Sequence, residues 1–381
     1  MSSDSPESDP KPAPRRRNWL LGAVGLLLLG GACVAAGGPG PEFASIAAPR
    51  TAIEGFAAPQ FTESAFIVAD GAQLPLRKWL PNGAPKAVIL ALHGFGDYSH
   101  AFEEAGKLWA ARGIATYAYD QRGFGGAPGR GIWPGEGPLA IDAISAVRIL
   151  RQAYPGRPLY LLGESMGGAV ATVAATGVTH GMLPSSADAP IADADGVILS
   201  APAVWGRDTM DLLPKVALWA GARFLPTAVL SGQGLRIQAS DNLPMLRELG
   251  RDPMVIKGAR IDTVFGLVNL MDSALDAAPR LSKPMLLMYG EHDQIVPAPA
   301  IQDFVAHLPP DPEHRHERLA FYQKGWHLLL RDLEGPIVAE DVANWIFYQR
   351  APLPSHADAA QDTRPWPPES DKKLDRMIGA K

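Results

Sequence analysis

The sequence predicts an α/β fold, with a mostly parallel central sheet flanked by helices and a helical cap insertion. Three observations predict it. Short apolar runs of strand length alternate with longer runs of helical periodicity, most of the short runs are continuously apolar, and one of them leads through a glycine-rich turn directly into a helix. Strands that are apolar on both faces belong to sheets covered by helices on both sides, which is typical of parallel α/β sheets.

The alternation of strands and helices runs from residue 61 to residue 350. Apolar residues three or four positions apart, such as Ile144, Val147 and Leu150, indicate helices. The predicted strands are residues 87–92, 114–119, 159–162, 197–199, 285–289 and 319–322. The predicted helices are residues 101–112, 138–154, 166–176, 298–308 and 334–348.

An insertion of different character interrupts the alternation at about residues 203–278. It contains three runs with helical spacing, residues 210–224, 245–249 and 261–275, and no run that predicts a strand. An insertion between two strands of a sheet sits above one edge of that sheet. We therefore expect an all-helical cap there.

The two ends of the chain are predicted to lie outside this domain. Residues 1–18 form a polar leader that ends in three arginines, and residues 19–36 form an uncharged apolar segment long enough to cross a bilayer. The arginines predict that the amino terminus stays in the cytoplasm and that the domain is exported. Residues 37–60 are predicted to be a linker. Residues 351–381 are rich in proline and charge and are predicted to be a disordered tail.

The apolar segment has three possible fates. It can be an uncleaved membrane anchor, which its length favours. It can be a cleavable signal peptide, since small residues at 34–36 and 44–47 offer cleavage sites, which would leave a secreted or periplasmic protein. The third fate is lipidation of Cys33, whose preceding residues weakly resemble a bacterial lipobox. All three fates predict export.

Composition excludes several function classes. The 381 residues carry a net charge of -5, whereas nucleic-acid binders show basic domains. The chain has one cysteine, so it can form neither an intrachain disulfide nor a cysteine-based zinc site. No residue pattern implies a cofactor or a metal.

A G-x-S-x-G motif surrounds Ser165. It follows a predicted strand and opens directly into the predicted helix at residues 166–176. In this strand–turn–helix setting the serine hydroxyl is exposed on a tight turn, and the glycines at 163 and 167 allow the backbone to turn sharply. Ser165 is therefore the candidate nucleophile.

A serine nucleophile needs a base, and the base needs an orienting carboxylate. His327 and Asp293 each follow a predicted strand, and they come after Ser165 in the order acid, then histidine. The carboxyl ends of parallel strands meet at one edge of a sheet, so we expect all three residues there. Glu291 is the alternative to Asp293 as the acid.

The oxyanion of the reaction intermediate needs hydrogen-bond donors. The backbone N–H of Met166, directly after the nucleophile, is one candidate. The other is the N–H of Phe95, in a loop where Gly94 and Gly96 permit an unusual turn. His93 suits a loop-bracing role.

These motifs resemble those of α/β-hydrolases of the monoacylglycerol lipase and lysophospholipase type. The shared motifs are residues 93–96, 120–125, 163–168, 290–293 and 325–327. The resemblance implies the α/β-hydrolase fold with a helical cap. It also implies Ser165 as nucleophile, Asp293 and His327 as its triad partners, and Phe95 and Met166 as oxyanion donors.

The leading hypothesis is a serine hydrolase that cleaves carboxylic esters of single-acyl lipids, either monoacylglycerol or lysophospholipid, through an acyl-enzyme. Apolar residues of the cap suit such a substrate, among them Trp219, Phe224, Leu225, Phe265 and Val268. A serine aminopeptidase of the same superfamily is the alternative, with Asp208, Asp211 and Asp241 as an acidic pocket for the amine. A non-catalytic exported ligand-binding protein is a third hypothesis. The acyl length, the head group and the oligomeric state stay open.

Overall fold

The computed structural model describes residues 58–177, 191–207, 210, 212–231, 237–309, 317–362 and 365–368. Its strands are β1 (Gln60–Phe61), β2 (Ala65–Ile67), β3 (Gln73–Trp79), β4 (Ala87–Leu92), β5 (Ile114–Tyr119), β6 (Leu159–Glu164), β7 (Gly196–Ser200), β8 (Val229–Ser231), β9 (Gly258–Arg260), β10 (Met285–Gly290) and β11 (Glu317–Tyr322). Its helices are α1 (Glu103–Ala111), α2 (Glu136–Ala153), α3 (Met166–Thr176), α4 (Leu212–Phe224), α5 (Leu243–Arg251), α6 (Ile261–Ala277), α7 (Ala298–Ala306) and α8 (Gly335–Phe347).

Nine of these strands form one sheet, in the order β1–β2–β3–β5–β4–β6–β7–β10–β11. The six strands from β5 to β11 in this order pair in parallel, whereas β1, β2 and β3 are antiparallel to their neighbours. The predicted α/β fold is confirmed. The three antiparallel strands were not predicted, because β1 and β2 have only two and three residues and β3 interleaves polar residues with its apolar ones. None of them shows the continuous apolar pattern of the buried strands.

Helices cover both faces of the sheet, and the alternation of side chains along each strand fills two cores. In β4, Val88 and Leu90 point into the core beneath α2, α3 and α6, while Ile89 points into the core beneath α1 and α8. Burying one such aliphatic side chain stabilises the fold by about 1.5–3 kcal/mol. The rigid sheet is thus fixed from both sides.

The order of the strands creates a crevice at the carboxyl edge of the sheet. The chain passes from β4 to β5 on one side and then crosses to β6 on the other side of β4. Loops that leave β4 and β6 therefore diverge, and ligands bind at such a switch point in open α/β sheets. The loops that follow β4 and β6 carry Phe95 and Ser165.

The insertion after β7 contains α4, α5 and α6, as predicted, but it is not all-helical. The strands β8 and β9 form a separate antiparallel ribbon within it. Each has only three residues. Such strands are too short for an alternating pattern to be recognised, which is why the prediction of an all-helical cap was wrong.

The predicted disordered tail is also corrected in part. Residues 351–362 and 365–368 pack on the domain, with a short helical turn at Ala357–Ala360 beside the edge strand β11. Leu353 and Trp366 are almost completely buried. Isolated apolar anchors in a polar, proline-rich segment do not change its average composition, so the composition did not reveal them.

The predicted leader, the apolar segment at residues 19–36 and nearly all of the linker lie outside the described residues. Within the described residues, none of the helices combines the length and the apolar character that a membrane span requires.

Candidate active site

Ser165 occupies a sharp turn between β6, which ends at Glu164, and α3, which begins at Met166. Its φ and ψ angles are 52° and -116°, a positive φ that residues with a side chain rarely adopt. Such a conformation costs on the order of 1–3 kcal/mol and needs support from its surroundings. Two backbone hydrogen bonds provide it, from Ser165 N–H to Ser200 O and from Ala203 N–H to Ser165 O, both 2.9 Å long.

The turn brings its backbone so close to its neighbours that only glycine fits at two positions. A Cβ atom on Gly163 would lie 2.1 Å from Gly167 O, and one on Gly167 would lie 2.0 Å from Leu92 O. Ser165 itself is partly exposed, although Glu164 and Met166 on either side are buried. The turn therefore presents the serine side chain at the carboxyl edge of the sheet.

His327 and Asp293 form a hydrogen-bonded pair. The distance between His327 Nδ1 and Asp293 Oδ2 is 2.8 Å, and both side chains are almost fully buried. The second carboxylate oxygen, Asp293 Oδ1, accepts hydrogen bonds from the N–H groups of Ile295 and Val296 at 2.8 and 2.9 Å. With Nδ1–H donating to the carboxylate, the Nε2 atom of His327 is left as a proton acceptor. The carboxylate bonded to His327 is that of Asp293 and not that of Glu291.

The pKa of His327 reflects a balance of opposing effects. Burial lowers it, but the negative charge of Asp293 and the hydrogen bond to it raise it, and the carboxylate of Glu164 raises it further. Arg331 lowers it by a smaller amount. The net pKa lies above the usual value for histidine, as is expected for a base that must hold a proton briefly during a reaction.

The loop after β4 forms a tight turn beside the serine. The Asp97 N–H donates to Gly94 O at 3.3 Å, and Gly96 has a φ of 78°, which together correspond to a type II turn. A Cβ atom on Gly94 would lie 3.4 Å from Ser165 Cβ, so this loop directly adjoins the nucleophile turn. Within the described residues, the N–H groups of Phe95 and Met166 donate to no other protein group. Both are available to an oxyanion.

The neighbouring polar residues of this edge brace its loops. The buried His93 accepts a hydrogen bond at Nε2 from Gln121 N–H, 2.9 Å long, and desolvation lowers its pKa. Asp120 accepts hydrogen bonds from the N–H and the hydroxyl of Ser99 and from the N–H of Gly126. His93 thus has the bracing role predicted for it, and Asp120 braces the neighbouring loop.

A buried group of three charges was not predicted. Arg331 lies in the short helical turn Leu329–Arg331, and its Nη1 and Nη2 atoms are each 2.7 Å from a carboxylate oxygen, of Asp97 and Glu164 respectively. The three residues are far apart in the sequence, and no spacing links them. The only signal was Glu164, a charged residue at the end of an otherwise apolar strand.

The cap is attached to the loops of the candidate site at both ends of α5. Before the helix, Ala239 O accepts from Leu328 N–H at 3.0 Å, and Ser240 Oγ donates to Asp332 Oδ1 at 2.6 Å. After the helix, Asp252 accepts from the Tyr98 hydroxyl at 2.7 Å. One end of α5 is thus bound to the loop of His327 and the other to the segment that follows Phe95.

Comparison with known proteins identifies relatives of this chain. The family described as serine aminopeptidase S33 (Hydrolase_4) matches residues 83–334. The monoglyceride lipase of Homo sapiens is 27% identical over 290 residues, which are 74% of this chain and 87% of that protein. The monoacylglycerol lipase of Mycolicibacterium smegmatis is 26% identical over 290 residues, which are 75% of this chain and 96% of that protein.

Solved structures share the fold. The monoacylglycerol lipase of Paleococcus ferrophilus has a TM-score of 0.58 at 21% identity and covers 72% of this chain and 99% of its own. A soluble variant of the monoglyceride lipase of Saccharomyces cerevisiae, in complex with a substrate analog, has a TM-score of 0.57 at 19% identity and covers 79% of this chain and 98% of its own.

Proposed function

The chain belongs to the family described as serine aminopeptidase S33 (Hydrolase_4), and from this premise we propose that it is a serine hydrolase that cleaves carboxylic esters of single-acyl lipids, monoacylglycerols in particular. The observation that carries the proposal is the hydrogen bond between His327 and Asp293 at the same sheet edge as the strained turn of Ser165. This is the arrangement that a serine nucleophile, a base and an orienting acid require.

The proposed reaction runs through an acyl-enzyme. Ser165 Oγ attacks the ester carbonyl carbon while its proton passes to His327 Nε2, and the resulting oxyanion accepts hydrogen bonds from the N–H groups of Phe95 and Met166. The C–O bond to the alcohol then breaks, and the imidazolium gives its proton to the leaving alcohol oxygen. Water attacks the acyl-enzyme with His327 again as base, and the fatty acid leaves as the serine regains its proton. Asp293 stabilises the imidazolium in both halves.

The apolar surface of the cap supports a lipid substrate. In α4, Pro214 and Leu218 are buried, while Leu212, Leu213 and Phe224 are 76%, 68% and 73% exposed. Several large apolar side chains exposed on one helix mark a surface that binds an apolar partner. Several relatives are named monoglyceride or monoacylglycerol lipases, which favours a monoacylglycerol over a lysophospholipid.

The aminopeptidase alternative has less support. It needs carboxylates that are free to bind a substrate amine, but Asp241 Oδ1 already accepts a hydrogen bond from the Leu333 N–H at 2.8 Å. Asp208 and Asp211, the other two candidates, lie outside the described residues. Because the family is described as serine aminopeptidase S33, the test below includes an aminoacyl amide.

The test measures hydrolysis of a long-chain monoacylglycerol, a lysophospholipid, a short soluble ester and an aminoacyl amide. We expect the monoacylglycerol to be hydrolysed fastest and Ser165→Ala to lose roughly 10⁴-fold or more of the activity. Ser282→Ala, an exposed serine at the opposite edge of the sheet, is the control and keeps full activity. Full activity in Ser165→Ala, or a preference for the amide, would contradict the proposal. Failure of a fluorophosphonate to label the wild-type protein would favour the non-catalytic alternative.

We also propose that residues 19–36 attach the protein to a membrane with its catalytic domain outside the cytoplasm, because they are apolar, uncharged and preceded by three arginines. Replacing Leu27 and Leu28 by arginine should release the protein from the membrane fraction. Cys33→Ala should release it only if a lipid on Cys33 is the anchor. Mass spectrometry of the mature amino terminus tests cleavage, and an enzyme that stays inaccessible to protease added outside the cell would contradict the proposed orientation.

A further inference from the structure

The guanidinium of Arg331 joins three loops that each carry a proposed catalytic group. Arg331 follows His327 by four residues in the same loop. Its partner Glu164 directly precedes Ser165, and its partner Asp97 closes the turn that contains Phe95. The side chains of Arg331, Asp97 and Glu164 are 11%, 10% and 1% exposed, so the bridge is shielded from water.

Stability does not explain this bridge. Buried charges lose their hydration, and a buried ion pair is often no more stabilising than apolar side chains of the same volume. Here one cation faces two carboxylates, and within the described residues Glu164 Oε2 and Arg331 Nε have no hydrogen-bond partner. An apolar contact at this place would cost less free energy, but it could not fix the relative positions of three loops in the way that two directed hydrogen bonds can.

We propose that Arg331 is a positioning residue, which holds the oxyanion loop at residues 94–97 and the turn of Ser165 at a fixed distance from each other and ties both to the loop of His327. The planar guanidinium is suited to this because its two terminal nitrogens are a fixed distance apart. This role rests on the serine hydrolase function proposed above. It acts through Glu164 and Asp97, and Arg331 itself touches no reacting atom.

Arg331 also changes the electrostatic surroundings of His327, because it brings a positive charge close to the imidazole. That imidazole is surrounded by the carboxylate of Asp293, by Glu164 from β6 and by Arg331 from its own loop, with Asp97 and Asp332 on the adjoining segments. Arg331 offsets the negative charge of Glu164, which otherwise raises the pKa of His327. Removing Arg331 should therefore raise the pH at which the base loses its proton.

The test compares Arg331→Met with Arg318→Met. Arg318 is an equally buried arginine that also bridges two partners, Asp358 and the backbone of Gln349, but it lies away from the active site. Activity is measured on a soluble ester and divided by the number of serines that a fluorophosphonate labels, so that unfolded protein does not count. We expect Arg331→Met to lose about 100-fold in kcat, with KM changed less than threefold. The acid limb of its kcat/KM profile should move to higher pH.

Arg318→Met should keep the wild-type kcat per labelled serine and the wild-type pH profile. Arg331→Lys should recover only part of the loss, because an ammonium group cannot span two carboxylates in one plane. A wild-type kcat in Arg331→Met, or an equal loss in Arg318→Met, would overturn the role of Arg331.

A triple variant keeps the test decisive if Arg331→Met does not fold. Arg331→Met with Asp97→Asn and Glu164→Gln carries no unpaired buried charge. We expect this variant to fold. The acid limb of its kcat/KM profile should lie at a lower pH than that of Arg331→Met, because the charge of Glu164 is gone. Its kcat should stay low, because the bridge is also gone. Recovery of the wild-type kcat would refute positioning. Ser165→Ala separates the two proposals: if it is inactive while the Arg331 variants behave as wild type, only the role of Arg331 fails.

Discussion

The carboxyl edge of the sheet and the two outer helices of the cap, α4 and α5, use apolar residues in opposite ways. Every residue of β4, β6 and β10 is buried. In the cap, α6 packs into the core and buries ten of its residues, but α5 buries none of its residues completely and α4 buries only Pro214 and Leu218. The sheet thus uses its apolar surface for packing, whereas α4 and α5 leave much of theirs exposed, and α5 is attached by a few polar contacts at its ends.

This difference indicates which region supports catalysis and which region selects the substrate. Dense packing on both sides of the sheet can hold a strained residue such as Ser165, because the backbone around it cannot relax. The outer cap helices α4 and α5, which have little packing, cannot hold such a geometry, but they can adapt to the shape of an acyl chain. Changes at the sheet edge should therefore alter the rate of chemistry or the fold, and changes in the cap should alter the choice of substrate.

The largest effect is expected for Asp293→Asn. The amide keeps the size of the side chain but removes the charge that stabilises the imidazolium of His327 and favours its correct tautomer. We expect kcat to fall about 10⁴-fold, with little change in KM. The loss of the negative charge should also lower the pKa of His327, since Asp293 raises it. Single-turnover kinetics over a range of pH measures both, and a loss below tenfold would show that Asp293 is not the acid.

The next largest effect is expected for Gly163→Ala. The added Cβ meets the backbone of Gly167 at 2.1 Å, so the nucleophile turn must move. We expect the free energy of unfolding to fall by about 3 kcal/mol or more. Gly250→Ala in the cap helix α5 is the matched control, because nothing lies within 4 Å of its added Cβ. There alanine should stabilise the helix by about 0.5–1 kcal/mol. Equal effects of both changes in urea unfolding would contradict the proposed difference between the two regions.

The sequence revealed far more of the sheet edge than of the cap. The strand at 87–92, the helix at 166–176 and the candidates Ser165, Asp293 and His327 follow from local signals: continuous apolar runs, a glycine-flanked serine and polar residues after strands. The ribbon of β8 and β9 left no such signal because its strands are three residues long. The Arg331 bridge could not be predicted from the sequence for another reason. It depends on tertiary contacts between residues 97, 164 and 331, which are far apart in the chain.

A contact between the two regions should depend on pH. Asp332 accepts hydrogen bonds from Ser240 of the cap and from the Trp326 N–H beside His327. Burial raises its pKa to about 6, although these hydrogen bonds lower it, and the carboxylates of Asp241 and Glu164 add to the increase. The folded state therefore binds the proton more tightly than the unfolded chain does. The stability that Asp332 contributes is greatest below about pH 4 and is lost as the pH rises to about 6.

Asp332→Asn should remove this dependence, because the amide cannot ionise but keeps an oxygen that can accept. We expect a gain on the order of 2 kcal/mol at pH 7 and none at pH 4. Urea unfolding at the two pH values measures it. If the gain appears, the contact between the cap and the sheet edge is weakened at neutral pH by the ionisation of Asp332. An equal change at both pH values would mean that folding does not shift the pKa of Asp332.

The smallest effect is expected for the exposed apolar surface of α4, which is proposed above to bind the lipid. Leu212→Ser combined with Leu213→Ser removes two apolar side chains that are 76% and 68% exposed. Because neither side chain is packed, the free energy of unfolding should change by less than about 0.5 kcal/mol. Activity on an emulsified long-chain monoacylglycerol should fall about tenfold, since about 1.4 kcal/mol of apolar contact with the lipid is lost in binding. Activity on a short soluble ester should stay the same.

The ratio of the activity on the emulsified monoacylglycerol to the activity on the short ester shows whether the cap controls substrate choice separately from the chemistry at the sheet edge. Leu80→Ser, an exposed leucine at the end of β3 that is 52% exposed, removes a similar side chain outside the cap and should leave the ratio unchanged. If the cap variant instead lost both activities equally, the cap would be acting on the chemistry through its contacts with the loops of His327 and Phe95. Substrate choice and catalysis would then belong to one coupled unit, and the apolar surface of α4 would have no separate role in binding the acyl chain.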